Sequence, residues 1–141
     1  MIEILNQQSS RRVRLKTYRA LLEKLTALYN LSDPDITLAF VTDDVIRDLN
    51  HRFLDKDRPT DVLSFPLGEE GADGRFHLGD IIISVSRAAE QSRPKRHGLE
   101  RELEILTIHG FLHLQGFEHD KGLEEEEEKL RKALLEGYHG D

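Results

Sequence analysis

The chain contains no cysteine. Neither a disulfide framework nor a thiolate metal site is therefore open to it, and any transition metal must be held by His, Asp or Glu. Long apolar runs are missing as well: no stretch approaches the roughly 18–20 consecutive apolar residues of a membrane span. The N-terminus has none of the basic, apolar and small-residue zones of a signal peptide, so the sequence predicts a cytoplasmic protein without membrane association. Excess positive charge is also absent, since 20 Lys+Arg stand against 27 Asp+Glu for a formal net charge of −7. That balance argues against a protein that coats nucleic acid by bulk attraction. The distribution is uneven, however. Residues 7–30 carry Arg11, Arg12, Arg14, Lys16, Arg19 and Lys24 against only Glu23, whereas the run Glu124 to Glu128 supplies much of the acid. An anionic substrate is allowed, and the glutamate run reads as a solvated helix face.

At 141 residues the chain has the size of one domain, 1–141, able to bury roughly two-thirds of its unfolded surface. Ile2, Ile4 and Leu5 predict a short opening strand, and the spacing of Leu15, Leu21, Leu22, Leu25 and Leu28 predicts a helix over 13–31. Asp33-Pro34 breaks the pattern. A strand through Ile36, Leu38, Phe40 and Val41 then ends at Thr42, a candidate N-cap for a helix running to about Leu54. Residues 55–60 form a loop, Asp61 to Phe65 a strand closed by Pro66, and 68–74 a turn-rich excursion. A buried strand over 77–85 follows, then a short helix over 86–92 and a connector over 94–98. A long helix over 99–115 ends at Gly116, and a last amphipathic helix covers about 123–138. The expected architecture is α+β, with about four strands in a mixed sheet and about five helices packed over it.

His109 and His113 lie four residues apart on the long helix, so both imidazoles leave one face a turn apart and can reach a single ion. Gly116 permits a left-handed turn, after which His119 supplies a third nitrogen from the side. Three of the seven histidines thus fall within eleven residues of an otherwise apolar helix and its end. Imidazoles in such surroundings need partners, which a metal and nearby carboxylates provide. Three His ligands leave the fourth position of a zinc-like ion to water, whose pKa can fall to about 7. His51, His77, His97 and His139 read as ordinary core or surface residues.

The frame HxxxHxxGxxH is also that of the metzincin proteases. Those enzymes require a general-base Glu directly after the first His, where this chain has Gly110, and a methionine turn, although the only methionine is Met1. HGFLHLQGFEHD, from His109 to Asp120, instead resembles the signature of the YbeY family of endoribonucleases, approximately HGxLHLxGxDH. RPTDVLSFP, from Arg58 to Pro66, and LGDIIIS, from Leu78 to Ser84, are similar to two further stretches of that family, in order and spacing. One departure is Glu118, where the family commonly has Asp, a carboxylate placed to orient His119.

The resemblance implies a zincin-like site with one zinc ion, or nickel, held by His109, His113 and His119. It implies a single-strand-specific endoribonuclease of small-subunit rRNA maturation and ribosome quality control, with ribosomal partners. The family's important arginine falls on Arg58, which joins His109 as catalytic. Independently, Arg58 lies in a loop ahead of a strand, and a guanidinium binds phosphate oxygens bidentately. Asp61, Glu118 and Asp120 are the candidates for a base or for holding an imidazole, and the choice among them stays open, as does attack by the RNA's own 2′-hydroxyl. The basic first helix, with Arg52, Lys56, Arg87, Lys95 and Arg96, is expected to line a groove for the strand. The competing readings are a metal-dependent hydrolase of another substrate and a non-catalytic ribosome assembly factor.

Overall fold

The computed structural model describes residues 1–95 and 97–138; Arg96 and His139 therefore lie outside the described residues. Its elements are β1 (Ile2–Asn6), α1 (Leu15–Leu28), β2 (Asp35–Val41), α2 (Asp43–Leu54), β3 (Val62–Glu70), β4 (Phe76–Ser84), α3 (Val85–Ser92), α4 (Leu99–Leu114) and α5 (Leu123–Leu134). The four strands form one mixed sheet in the order β1-β2-β4-β3. β1 pairs parallel with β2 and β2 parallel with β4, while β3 runs antiparallel to β4 at the sheet edge. The α+β architecture expected from the sequence is the one observed.

Strand alternation separates two apolar layers. Ile36, Leu38 and Phe40 face a large core completed by Tyr18, Leu22 and Leu25 of α1 and by Leu103, Ile108, Phe111 and Leu112 of α4. Ala39 and Val41 point the other way, onto Ile46 of α2 and Leu63 of β3. The β2–β4 register skips a residue between Asp35↔His77 and Ile36↔Gly79. This bulge lets Leu78, Ile81 and Ile83 share the large core although strict alternation would divide them.

Local chemistry fixes the element ends. Thr42 accepts from the Val45 N–H and caps α2, as its position in the sequence predicts. β3 runs past the expected stop at Pro66 to Glu70, with a register shift between Pro66 and Glu69. An edge strand tolerates the missing N–H, which explains why proline does not end it. α5 ends at Leu134 rather than near Tyr138.

Gly79 marks the closest backbone crossing. It has φ +146°, and a Cβ there would collide with the Phe65 carbonyl and stand 2.8 Å from Leu114 Cδ2. Gly79→Ala is expected to destabilise the fold by about 1–3 kcal/mol, the usual cost of overpacking, measured as a lower midpoint in urea unfolding.

Candidate active site

α4 positions the first two histidines, and a close approach fixes α4. At Gly110 a Cβ would sit 2.6 Å from Ile81 Cγ2 and 3.2 Å from Ser64 Oγ. The helix therefore lies directly on β3 and β4, with His109 and His113 leaning over the edge strand. A protease-type glutamate following the first histidine has no room here, so the feature that weakened the protease reading in the sequence has a steric cause. Beyond α4, Gly116 (φ +92°) closes a Schellman motif. Its N–H donates to the His113 carbonyl at 3.0 Å, and the Phe117 N–H donates to Leu112 at 3.0 Å. The reversal anchors Phe117 against Tyr29, ring centroids 6.5 Å apart, and brings Glu118 and His119 back toward α4.

The Nε2 atoms of His109 and His113 face each other at 3.0 Å. Two nitrogens bound at about 2.0–2.1 Å to one tetrahedral ion would lie roughly 3.3 Å apart, so this pair fits a shared cation with little adjustment. His119 stands farther off: its ring centroid is 6.5 Å from that of His113, and its side chain is 78% exposed. Each Nδ1 is turned toward a glutamate. His109 Nδ1 hydrogen-bonds to Glu127, His119 Nδ1 lies 2.6 Å from Glu124 and His113 Nδ1 lies 3.5 Å from Glu118. A carboxylate on Nδ1 leaves Nε2 as the coordinating atom, the usual arrangement behind metal-bound histidine. His109 and His113 thus fit two positions of a zinc-like ion, whereas His119 does not converge with them as it stands.

Electrostatics divides the three. Burial, reinforced by neighbouring His109, pushes the His113 imidazole below its ordinary pKa, favouring the neutral ring that coordination requires. The hydrogen bond to the Glu124 carboxylate pushes His119 above the ordinary value.

His109 and His113 line a cavity of about 230 Å³ together with Val62, Leu63, Ser64, Pro66 and Glu118. Of the three carboxylates singled out in the sequence, Glu118 alone lines it, and it faces His113 rather than His119. Asp61 accepts from the Val62 N–H at 2.8 Å and belongs to a second, larger cleft, while Asp120 is exposed. That cleft, about 510 Å³, shares Val62 and Leu63 with the first and is lined by Lys56, Arg58 and Arg87. Arg58 is thus placed beside the histidine cavity, not inside it. Its loop is tied down by Asn50, a buried residue whose Nδ2 donates to the Arg58 carbonyl at 3.0 Å. Arg87 is ion-paired with Asp43 at 2.8 Å. Two other basic candidates are engaged elsewhere: Arg52 pairs with Asp48 on α2, and Lys95 neutralises Glu102, whose side chain is only 1% exposed.

The glutamate run departs from the solvated face expected of it. Glu124 and Glu127 hold histidines, Glu126 hydrogen-bonds to Tyr29, and Glu128 accepts from the Tyr138 hydroxyl at 2.9 Å. Glu124 and Glu127 were not singled out in the sequence; their i,i+3 spacing just after His119 was the available signal. A separate group, Asp35, Asp73 and His77, also brings possible ligand atoms within 4.8 Å of one another. Cations already occupy it. Arg75 Nε donates to both Asp35 oxygens at 2.8 and 2.9 Å, the Met1 ammonium adds a contact at 2.9 Å, and together they hold the Asp35 carboxyl well below the usual range. A metal ion would have to displace both positive groups, so this cluster serves as an electrostatic tie between β2 and the β3–β4 turn.

An α+β scaffold carrying clustered histidines over a strand edge, beside a basic cleft, defines a small enzyme with a candidate metal centre. The family model described as "Endoribonuclease YbeY" matches residues 3–138. The chain is 41% identical to the endoribonuclease YbeY of Bacillus cereus (strain G9842), covering 85% of this chain and 83% of that protein. It is 39% identical to that of Aquifex aeolicus (strain VF5), covering 96% and 87%. The solution structure of TM1509 from Thermotoga maritima superposes with a TM-score of 0.61 at 30% identity, covering 99% of this chain and 100% of that one. The chain belongs to the YbeY endoribonuclease family. No helix among the described residues is long and apolar enough to cross a membrane.

Because α4 rests on β4 through Gly110, Gly110→Ala is expected to lift the helix. The expected cost is about 1–3 kcal/mol of unfolding free energy, together with chemical-shift changes at His109 and Ser64 in NMR spectra of the folded variant.

Proposed function

We propose that residues 1–141 act as one metal-dependent, single-strand-specific endoribonuclease domain that hydrolyses RNA phosphodiesters in small-subunit rRNA maturation and ribosome quality control. In this reading it works in the cytoplasm, on the ribosome and with ribosome-associated proteins. One zinc ion per chain, or nickel in its place, would be held by the Nε2 atoms of His109, His113 and His119. Such an ion supplies a Lewis acid and a water of lowered pKa. The observation that carries the reading is the facing pair of Nε2 atoms at 3.0 Å, backed by glutamates on the Nδ1 side of each histidine. Completing the set requires movement of one exposed side chain, His119.

The chain's own residues then divide the work. Glu118, the candidate carboxylate lining the histidine cavity, would take a proton from the attacking water, a role its position in that lining supports. Arg58, anchored through its carbonyl by Asn50, reaches from the adjoining cleft toward the phosphate and neutralises charge developing on its oxygens. Lys56 and Arg87, the latter paired with Asp43, extend that cleft and would give the RNA strand a basic track leading to the cavity; Arg52 and Lys95 lie outside its lining.

Elemental analysis of the purified protein, paired with cleavage of a single-stranded RNA before and after chelation, tests the reading. Cleavage is expected to stop on metal removal and return with zinc. Cleavage by rigorously metal-free protein would overturn it. Arg58→Glu is expected to lower kcat by about 10²–10³-fold, the typical effect of removing one charge-stabilising group, with unchanged metal content and thermal unfolding.

A further inference from the structure

We infer that Glu127 of α5 is a positioning residue for the candidate metal centre, fixing His109 in the tautomer that leaves Nε2 free; this rests on the proposed metal-dependent reading. A carboxylate only accepts hydrogen bonds, so its contact with Nδ1 requires the His109 proton to reside on Nδ1. The lone pair is thereby left on Nε2, the atom facing His113 at 3.0 Å. Without an ion, that Nε2 accepts a hydrogen bond from the Nε2–H of His113. For His113 to offer its own Nε2 to an ion, its proton would have to sit on Nδ1, 3.5 Å from the Glu118 carboxylate that would accept the hydrogen bond. Glu127 thus sets the tautomer of one ring, and that ring sets the starting state of the other.

Burial and buttressing make Glu127 suited to this role. Its side chain is only 12% exposed, and its second oxygen accepts from Arg131 Nη2 at 3.3 Å. Arg131 lies 3.4 Å from the Tyr138 hydroxyl, which in turn donates to Glu128 at 2.9 Å. Glu127 therefore approaches His109 from a fixed direction. Glu125, two residues earlier in the same acidic run, is exposed and serves as the control for charge alone.

The test combines the imidazole nitrogen shifts of His109 in metal-free protein with zinc affinity by calorimetry, for wild type, Glu127→Gln and Glu125→Gln. Wild type is expected to show His109 protonated on Nδ1. Glu127→Gln is expected to lose that preference and bind zinc about 10–100-fold more weakly, while Glu125→Gln matches wild type in both. An unchanged tautomer and affinity in Glu127→Gln, or an equal loss in Glu125→Gln, would overturn the proposal. If Glu127→Gln does not fold, Glu127→Asp, which keeps the charge but withdraws the carboxylate, is expected to show the same shift in tautomer; its absence counts against the role. Wild-type protein that binds no zinc would instead overturn the metal reading itself, a failure visible before any variant is compared.

Discussion

Everything at the candidate centre depends on how closely α4 lies on the sheet. Helix and strand can meet at van der Waals distance only where one side chain is missing, and Gly110 is that place. Direct seating on Ile81 and Ser64 sets the height of His109 and His113 above the edge strand and leaves a cavity of about 230 Å³ between them. A larger residue would lift the helix and carry both rings away from the edge strand. The same seating brings α5 alongside, because α5 packs on α4 through Leu123 and Leu130 of the large core. The geometry of the candidate site and core packing are therefore one problem in this fold.

Much of this was legible because helical spacing is a local property. The four-residue gap between His109 and His113 puts them on one face of any α-helix, and Gly116 after an apolar run marks a left-handed reversal whatever surrounds it. The strand and helix order followed from hydrophobic period and from turn residues in the same way. What local pattern could not supply was tertiary context. Pro66 reads as a strand terminator until β3 is known to be the sheet edge, where its lack of an N–H costs nothing.

The glutamate run shows the limit from the other side. Five consecutive acids have no apolar period to reveal which of them turn inward. Only the fold shows that Glu127 meets His109 and Glu126 meets Tyr29, pushing the tyrosine hydroxyl well above its ordinary pKa through burial and that hydrogen bond. The pairing of Lys95 was hidden for a related reason: its partner Glu102 looks like surface charge in the sequence yet is buried on α4. Composition assigns charge to the surface by default, and the exceptions are where charges are paired.

The two apolar layers differ greatly in size. Behind the histidines stands the large core under α1, α3, α4 and α5, whereas α2 rests on a smaller cluster in which Ile46 meets Ala39, Val41 and Leu63, with Leu49 packed against it and Phe53 edge-on to Phe65. Each fully buried side chain of this kind contributes about 1.5–3 kcal/mol, so less apolar burial holds α2 than holds α4. α2 also supplies Asn50 and Leu54 to the wall of the larger cleft. The histidine helix and the wall of the larger cleft thus rest on apolar layers of very different size.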